Sequence, residues 1–355
     1  MRKQQGLSLV ELMISITLGL VLMTGVMQMF LSSRTVYTTH QAISRVQENG
    51  RLAMEFMSRD IRMAGFMGCM SRNMEFTNTL KIDDAEAEVL YGFGVGIEGA
   101  TAGTGQPTGY PAALTGTDIL VVRSASGNSA HVVSDKNSTS LKIATDSVVA
   151  NACNNGSDNM ISGLCKGDVV IITDCEKARA FQITNIQGSN GNVVHSKKGE
   201  AGDGGFSPGN DTASWGGNSG PPEEQFGPDS EIIRVTTNFY YIATNDAGRP
   251  GLWQKIGNSA AQEVLEGVEN MQLTYGLDTD GNGVPNEYLD AAAVGSNWDD
   301  VLSVRVQLLV VSLNNNVLEE PQPYTFNGTT VTPDDSDRRM RQVFVNTIGI
   351  RSRLP

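Results

Sequence analysis

The fold of this chain is decided by residues 1–31, which read MRKQQGLSLVELMISITLGLVLMTGVMQMFL. From Leu12 to Leu31, twenty consecutive residues carry no charge and include no proline. A run of that length can cross the hydrocarbon core of a bilayer as an α-helix. Arg2 and Lys3 precede the run, and positive residues favour the cytoplasmic side of the membrane. We therefore expect a single membrane-spanning helix, with the N-terminus in the cytoplasm and the rest of the chain exported.

The candidate cleavage site is unusual, because it lies before the apolar run. An ordinary secretory signal is cut after its apolar segment, whereas the small-residue junction here is Gly6–Leu7. Glu11 follows within the apolar run. A carboxylate in a membrane span costs about 3 kcal/mol or more unless it has a partner. The alternative is an ordinary signal anchor in which Glu11 reaches the lipid headgroups.

The spacing of Gly6, Leu7, Ser8, Leu9 and Glu11 resembles the class III signal of type IV pilins and type II secretion pseudopilins. The resemblance implies that prepilin peptidase cuts after Gly6, removes residues 1–6 as a leader, and methylates the new amine of Leu7. It also implies that Glu11 pairs with the N-terminal amine of a neighbouring subunit.

The helical pattern continues beyond the membrane segment. Apolar residues recur at intervals of mostly three, four or seven, which places them on one face of a helix; they are Val36, Ile43, Val46, Ala53, Met57, Ile61 and Ala64. We expect residues 7–33 to form a transmembrane half and residues 34–65 an amphipathic half that docks on a globular domain. Gly65 and Gly68 are expected to end the helix.

The rest of the chain predicts β-strands. Runs rich in β-branched and aromatic residues occur at 118–124, 130–134, 140–144, 168–173, 180–186, 231–244, 272–276, 301–313 and 341–350. Because the strands follow the helix rather than alternate with it, the predicted fold class is α+β. It is a type IV pilin-like arrangement, with a long N-terminal α-helix and a large antiparallel β-rich globular domain.

Two long segments read as loops. Residues 92–117 are rich in Gly, Thr and Ala, and residues 197–230 form a long Gly/Ser/Pro-rich loop. The second loop separates a first β-rich region, 66–196, from a second one, 231–355. It is either a boundary between two β subdomains or an insertion between two sheets of one domain.

The net charge of −13 argues against a nucleic acid partner, because phosphate neutralisation needs clustered Lys and Arg. Five arginines do gather near the C-terminus, where we expect a solvated face: Arg338, Arg339, Arg341, Arg351 and Arg353.

Four cysteines are present: Cys69, Cys153, Cys165 and Cys175. They form no C-x-x-C pair and have no histidine nearby, which disfavours zinc. In an exported domain, two disulfides are the natural expectation. Four cysteines allow three pairings. Cys153 with Cys165, closing a polar loop, and Cys69 with Cys175, tying the end of the helix to a strand, are the pairings that we favour.

Residues 278–286, DTDGNGVPN, match the opening of an EF-hand calcium loop. The oxygen ligands expected from it are Asp278, Asp280, Asn282, the Val284 carbonyl and Asn286, with Gly283 at the turn position. Leu289 replaces the bidentate Glu that would close the shell, so Asp290, Glu287, or Asp299 and Asp300 would have to complete it. The alternative is a polar hairpin turn, in which Asp and Gly are favoured anyway.

The sequence offers little support for a catalytic function. The three histidines, His40, His131 and His195, lie in no triad or metalloprotease pattern. We therefore expect a protein that is not an enzyme and has no organic cofactor, with Ca²⁺ as the one cofactor that the sequence predicts.

Four further runs resemble the PilW family of type IV pilus minor pilins: residues 51–69, 167–186, 268–283 and 338–355. The resemblance implies a structural subunit of the pilus tip or priming complex, held first in the inner membrane with its C-terminal domain in the periplasm. The implied partners are other minor pilins, the major pilin, a PilY/PilC-type tip adhesin and prepilin peptidase. Two alternatives stay open: a J-type minor pseudopilin of type II secretion, and a membrane-anchored, calcium-dependent binding module or adhesin.

Overall fold

The computed structural model describes residues 9–68, 75–153, 158–188, 190–197, 207–212, 214–218 and 220–353. The helices in these residues are α1 (Leu9–Arg62), α2 (Ala85–Tyr91) and α3 (Ala291–Val294), with short 3₁₀ turns at Pro222–Glu224, Trp298–Asp300 and Arg351–Arg353. The strands are β1 (Glu75–Asn78), β2 (Ile97–Thr101), β3 (Asp118–Asn137), β4 (Ser140–Ile143), β5 (Val148–Val149), β6 (Met160–Ile161), β7 (Val169–Thr173), β8 (Lys177–Gln182), β9 (Asn185–Gln187), β10 (Asn192–Val194), β11 (Glu231–Thr244), β12 (Pro250–Ile256), β13 (Gln262–Glu266), β14 (Val268–Leu277), β15 (Glu287–Leu289), β16 (Val301–Val311), β17 (Tyr324–Phe326), β18 (Thr329–Val331) and β19 (Arg341–Gly349).

Helix α1 is continuous over 54 residues, which corresponds to roughly 80 Å. The apolar spacing of its second half therefore continues the membrane segment, as predicted. Arg59 and Arg62 lie in the last turn, where positive charge is favoured by the helix dipole. Gly65 adopts a left-handed φ of +69° just beyond the helix, which is the conformation expected where glycine ends a helix.

The strands form two main sheets, which confirms the α+β prediction. The larger sheet has eleven strands, with β3 and β11 at its centre. The smaller sheet has four antiparallel strands in the order β15-β14-β16-β19. The buried residues of α1 pack between the smaller sheet and strands β3, β11 and β12 in a shared core.

Strand β16, within the predicted run 301–313, places one whole face in the core. Val304, Val306, Leu308 and Val310 are fully buried in the core that contains α1. Gly50 of α1 faces the same sheet, and a Cβ at this position would overlap the ring of Phe344 on β19. Glycine at this position therefore allows the helix and the strand to approach closely, a role that differs from the flexible point usually associated with glycine in a helix.

Side-chain hydrogen bonds fix α1 to the sheets along its second half. Asp60 accepts hydrogen bonds from the Tyr240 hydroxyl at 2.7 Å and from the Asn238 amide at 3.0 Å. Asn49 donates to the Glu266 carbonyl at 2.9 Å. The helix is therefore held in both rotation and translation against the globular part.

Strand β2 lies inside the segment that the sequence analysis reads as a loop. Its residues include Gly99 and Ala100, which have low intrinsic strand preference. Gly99 is required for packing, since a Cβ there would overlap the hydroxyl of buried Tyr275. Pairing with β3 and this close contact stabilise the strand, although the local sequence does not favour one.

The described part of segment 197–230 contributes to the core rather than standing apart from it. Strands β10 and β11, on either side of the segment, belong to the same eleven-stranded sheet. The chain changes from the larger sheet to the smaller one at Gly267, between β13 and β14.

A buried aromatic cluster anchors this segment. Trp215 is 1% exposed and stacks on His195 at 3.9 Å between ring centroids. Phe181 and Phe226 contact the Trp215 ring from other sides, and the Arg179 guanidinium lies 5.0 Å from its centroid. Neither ring nitrogen of His195 has a hydrogen-bond partner among the described residues. Burial and the nearby Arg179 charge lower the pKa of His195 to about 3.

The C-terminal arginines do not form one solvated face, so that prediction is wrong for part of the group. Arg341 is 6% exposed and donates two hydrogen bonds to Glu269, at 2.7 and 3.1 Å, and one to Asp337 at 2.7 Å. Arg353 donates to the carbonyls of Trp298 and Val301. Spacing along a strand could not show Glu269, Trp298 and Val301 as acceptors, because they come from distant parts of the chain.

We predict that Met57→Ala lowers the free energy of unfolding by about 3 kcal/mol, because it leaves a cavity in a close-packed core. Met57 is fully buried. Its neighbour Phe56 is 46% exposed, so Phe56→Ala is the matched control and should change the stability far less. Denaturant unfolding of the purified full chain measures both effects. Equal losses in the two variants would contradict the described docking of α1.

We also predict an acid-sensitive contribution from His195. Its pKa is about 3 in the folded chain and about 6.5 in the unfolded chain. The unfolded state therefore binds an extra proton between these values, and the free energy of unfolding falls as the pH drops from about 6.5. Between pH 6.5 and pH 4.5, the wild type should lose about 2 kcal/mol more than His195→Phe.

The control for this experiment is Phe181→Leu, because it alters the same buried aromatic cluster without removing a titratable group. This variant should keep the wild-type slope of stability against pH. An unchanged slope in His195→Phe would show that His195 does not carry the effect.

Candidate functional site

The first half of α1 is an apolar rod without protein contacts. Every large apolar residue from Leu9 to Leu31 is 51–74% exposed in the isolated chain. Within the described residues, α1 is the one helix that is long and apolar enough to span a membrane. Exposure of that much apolar surface to water is unfavourable, so this half requires lipid or other apolar helices around it.

Three hydroxyl side chains of this rod bond to the helix itself. Ser15 donates to the Glu11 carbonyl at 2.7 Å, Thr17 to the Met13 carbonyl at 3.0 Å, and Thr24 to the Leu20 carbonyl at 2.8 Å. Hydroxyls satisfied in this way can enter a hydrocarbon environment at low cost. The rod is therefore suited to lipid along its length.

Glu11 lies in the first turn of α1, near the helix N-terminus, and its residue is exposed. A carboxylate is favoured there by the helix dipole, and it is accessible to a positive group on another chain. The predicted cleavage site, Gly6–Leu7, lies outside the described residues. The roles of Gly6, Leu7 and Glu11 in processing and assembly stay predictions.

The predicted calcium loop, residues 278–286, is folded around Asp278. This residue is 3% exposed, and its carboxylate accepts hydrogen bonds from the amides of Gly281, Asn282 and Gly283 at 2.8, 3.1 and 2.9 Å. Although burial opposes the effect, these three amides lower the pKa of Asp278. The carboxylate is therefore ionised and fixed in position at neutral pH.

The side chains of the other predicted ligands are held by fewer hydrogen bonds than that of Asp278. Asp280 is exposed and accepts from the Asn282 side chain at 3.0 Å. The Asn282 and Asn286 side-chain oxygens accept from the amides of Val284 and Thr279, each at 2.8 Å. An amide oxygen has two lone pairs, so this bond leaves room for a cation on the Asn282 oxygen. The Asn286 oxygen also accepts from the Thr279 hydroxyl, at 3.4 Å, and a cation there would have to displace that longer bond.

The residues proposed to complete the calcium shell have different positions. Leu289 is in β15, and Asp290 caps α3 by accepting from the Ala293 amide at 2.8 Å. The Asp300 carbonyl accepts from the Asp278 amide at 2.9 Å, so the fold brings Asp300 beside the loop. The described residues contain no group of three or more His, Cys, Asp or Glu side chains placed to hold a metal ion. A calcium shell here would therefore depend on amide, carbonyl and water oxygens as well.

One predicted disulfide is present. Cys153 is joined to Cys165, with 5.8 Å between their Cα atoms. The other favoured pairing, Cys69 with Cys175, includes Cys69, which lies outside the described residues.

The sequence analysis missed a buried ionic cluster in the larger sheet. Arg123 is 1% exposed and forms an ion pair with Glu98 at 2.6 Å. The guanidinium also donates to the carbonyls of Val89 and Val95, and the Tyr110 hydroxyl donates to Glu98 at 3.2 Å. No sequence spacing links these residues. Since every polar group in this cluster has a structural partner, we assign it to holding α2 and the following segment on the sheet.

Two family models match the chain, one at each end. Residues 239–352 match the family described as Type IV Pilus-assembly protein W, and residues 1–27 match the Prokaryotic N-terminal methylation motif. Neither a curated protein nor a solved structure matched the chain in the corresponding comparisons.

The structure joins the two matched segments. The methylation motif covers the start of α1, and the second half of the same helix packs on the smaller sheet, which lies within the other match. The similarity to pilin families indicates a structural rather than a catalytic role for this chain. The apolar rod and the motif likewise indicate anchoring in the inner membrane and processing by prepilin peptidase. Together, the matches support the assignment of this chain to the PilW-type minor pilins of type IV pili.

Proposed function

We propose that this chain is a structural subunit of the tip or priming complex of a type IV pilus. The observation that carries the proposal is the division of α1 into a bare apolar half and a half buried in the globular core. Such a helix can pack with the apolar helices of other pilins, first in the membrane and then in the fibre. Because the globular domain is fixed to the second half of the helix, it would move together with the helix.

Glu11 would set the register of this packing. After cleavage at Gly6–Leu7, the methylated amine of a neighbouring subunit offers a positive charge at a similar depth in the membrane. A carboxylate in hydrocarbon is strongly stabilised by such a partner. Only one axial offset between two helices brings the two groups together, so the pair would select that offset. Extraction by the assembly machinery would then move the registered helices together.

The size of the globular domain favours a tip position over repeated use along the fibre. The described residues that follow α1 form a body with two main sheets, and lateral packing of so large a body at every position would crowd the fibre. Other minor pilins and the major pilin would contact its helix, and a PilY/PilC-type tip adhesin would contact the assembled tip. The match to a pilus-assembly family favours this function over that of a type II secretion pseudopilin.

Calcium binding at residues 278–286 is a second proposed property. The observation that favours it is the fixed Asp278 carboxylate, which is held by three amides of its own loop. Residues Asp278, Asp280, Asn282, Val284 and Asn286 would supply the oxygens, and the ion would neutralise the charge of Asp278 and Asp280. Because the loop joins β14 to β15, bound calcium would stiffen the end of the smaller sheet.

We predict that immunogold labelling with antibody to the globular domain marks pilus tips in wild-type cells and is reduced at least tenfold per cell in Glu11→Ala. The lost carboxylate leaves the neighbouring amine without its partner. The control is Ser15→Ala, one helical turn away, which removes a polar side chain without changing the charge and should label normally. Mass spectrometry should show that both variants still begin at methylated Leu7.

Normal assembly of Glu11→Ala would contradict the proposed registration by Glu11. Gold distributed uniformly along the fibres would contradict the tip position and favour repeated incorporation.

We predict that calorimetry on the purified full chain detects calcium binding at submillimolar concentration, and that Asp280→Asn weakens it at least tenfold. Asp280 is exposed and is not needed to fold the loop in the way that Asp278 is. Asp246→Asn, in the exposed turn between β11 and β12, is the matched control and should bind as the wild type does. Absence of binding heat up to millimolar calcium would reject the site.

A further inference from the structure

Strand β19 forms a long edge of the smaller sheet. It is the terminal strand of the four-stranded sheet and has nine residues, all of them paired with β16 on one side. Among the described residues, no strand pairs with its other side. The other terminal strands of the described sheets have two to five residues. Short edges of that kind limit unwanted pairing, so β19 differs from them.

The hydrogen bonds show which backbone groups of β19 face outward. The Ile350 amide donates to the Leu302 carbonyl, and the Ser312 amide donates to the Met340 carbonyl. In an antiparallel pair the directly bonded residues alternate. Even-numbered residues of β19 therefore bond to β16, whereas the amides and carbonyls of Val343, Val345 and Thr347 point away from it.

The neighbouring outward amide is already satisfied. Arg341 donates its backbone N–H to the Gln322 side chain at 3.2 Å. This bond independently supports the assigned alternation, because Arg341 has the same parity as the outward residues. The available edge therefore begins at Val343.

The usual protection of an exposed edge is missing from this strand. Residues 342–349 read QVFVNTIG and contain no proline or charged side chain. The pairing of β19 with β16 runs without a register shift, so no bulge turns the edge away. Val345, at its centre, is 59% exposed. Natural proteins block such edges by one of these devices unless the edge is used.

A shallow groove of about 330 Å³ lies beside the edge, between β19 and α1. It is lined by Arg51, Met54 and Glu55 of the helix and by Phe344, Val345 and Asn346 of the strand. A strand added to β19 would direct alternate side chains towards α1, and the groove provides space for them. Backbone bonds and side-chain contacts could thus act together, as in other cases of strand addition.

The direction of β19 argues against a symmetric dimer of this chain. Phe344 lies against Gly50, Asn346 bonds to Ser58, and Ser352 bonds to Ala64, so β19 and α1 run in the same direction. Two copies paired edge to edge in antiparallel fashion about a two-fold axis would point their helices in opposite directions. Both apolar rods could not then enter one membrane from the same side.

We propose that β19 receives a β-strand from a different protein of the assembled pilus, which extends the four-stranded sheet by one strand along α1. This inference rests on the proposed pilus function and adds a specific contact to it. The partner must supply an extended segment with free backbone amides and carbonyls. The side chains of this segment that point towards α1 must fit beside Phe344 and between Arg51 and Glu55.

The test uses Val345→Pro in the full chain, expressed in piliated cells. Proline removes the outward amide of residue 345 but no bond to β16, and proline is tolerated on the free side of an edge strand. We expect at least a tenfold loss of surface pili with an unchanged melting temperature. The control is Val345→Thr, which keeps the amide and the β-branched shape and should assemble normally.

Hydrogen–deuterium exchange of the outward amides measures directly whether the edge is occupied. The amides of Val343, Val345 and Thr347 should exchange with deuterium at least a hundredfold more slowly in assembled pili than in the purified chain. Normal piliation with folded Val345→Pro, or equal exchange in the two states, would overturn the proposal. If Val345→Pro melts early, Val345→Lys takes its place, because lysine at an edge blocks strand addition and leaves every backbone bond intact.

These outcomes are distinct from failure of the proposed function. Loss of assembly in Glu11→Ala together with normal assembly of the edge variants would keep the minor-pilin function and reject strand docking.

Discussion

The docking of α1 in the core is the interaction on which the rest of the structure depends. Met57, Ala53 and Ile61 are fully buried between the two sheets, while the first half of the same helix, from Leu9 to Leu31, is an exposed apolar rod. Because α1 is one continuous helix, any movement of its apolar half also moves the half that is buried in the core. The membrane requirement of the rod therefore fixes the position of both sheets relative to the bilayer and, after assembly, relative to the helices of neighbouring subunits.

The parts predicted correctly from the sequence are those that depend on local periodicity. The spacing of apolar residues identified α1, and the predicted limits of β11 match the structure. In each case burial on one face produces a regular pattern within one element. For the candidate site, local spacing likewise placed Asp278 in a tight, amide-lined turn, whereas it could not place Asp300 beside that turn.

The parts that sequence could not supply are contacts between distant residues. Arg341 resembles its solvated neighbours along the chain, yet Glu269 and Asp337 bury it. His195 and Trp215 are separated by a glycine-rich segment that indicates a loop, but their rings stack inside the larger sheet. Strand β2 has a composition typical of a loop and is specified by its partners. Such contacts leave no periodic signal, because each depends on the position of an element elsewhere in the fold.

The shared direction of α1 and β19 has a mechanical consequence. In the proposed fibre, tension would pull the anchored rod and a segment bound to the outer edge of β19 in opposite directions along one line. The bonds between β16 and β19 lie across that line, so they resist sliding as a group and are not broken one after another. In that proposed assembly, the subunit would carry the load in shear between β16 and β19.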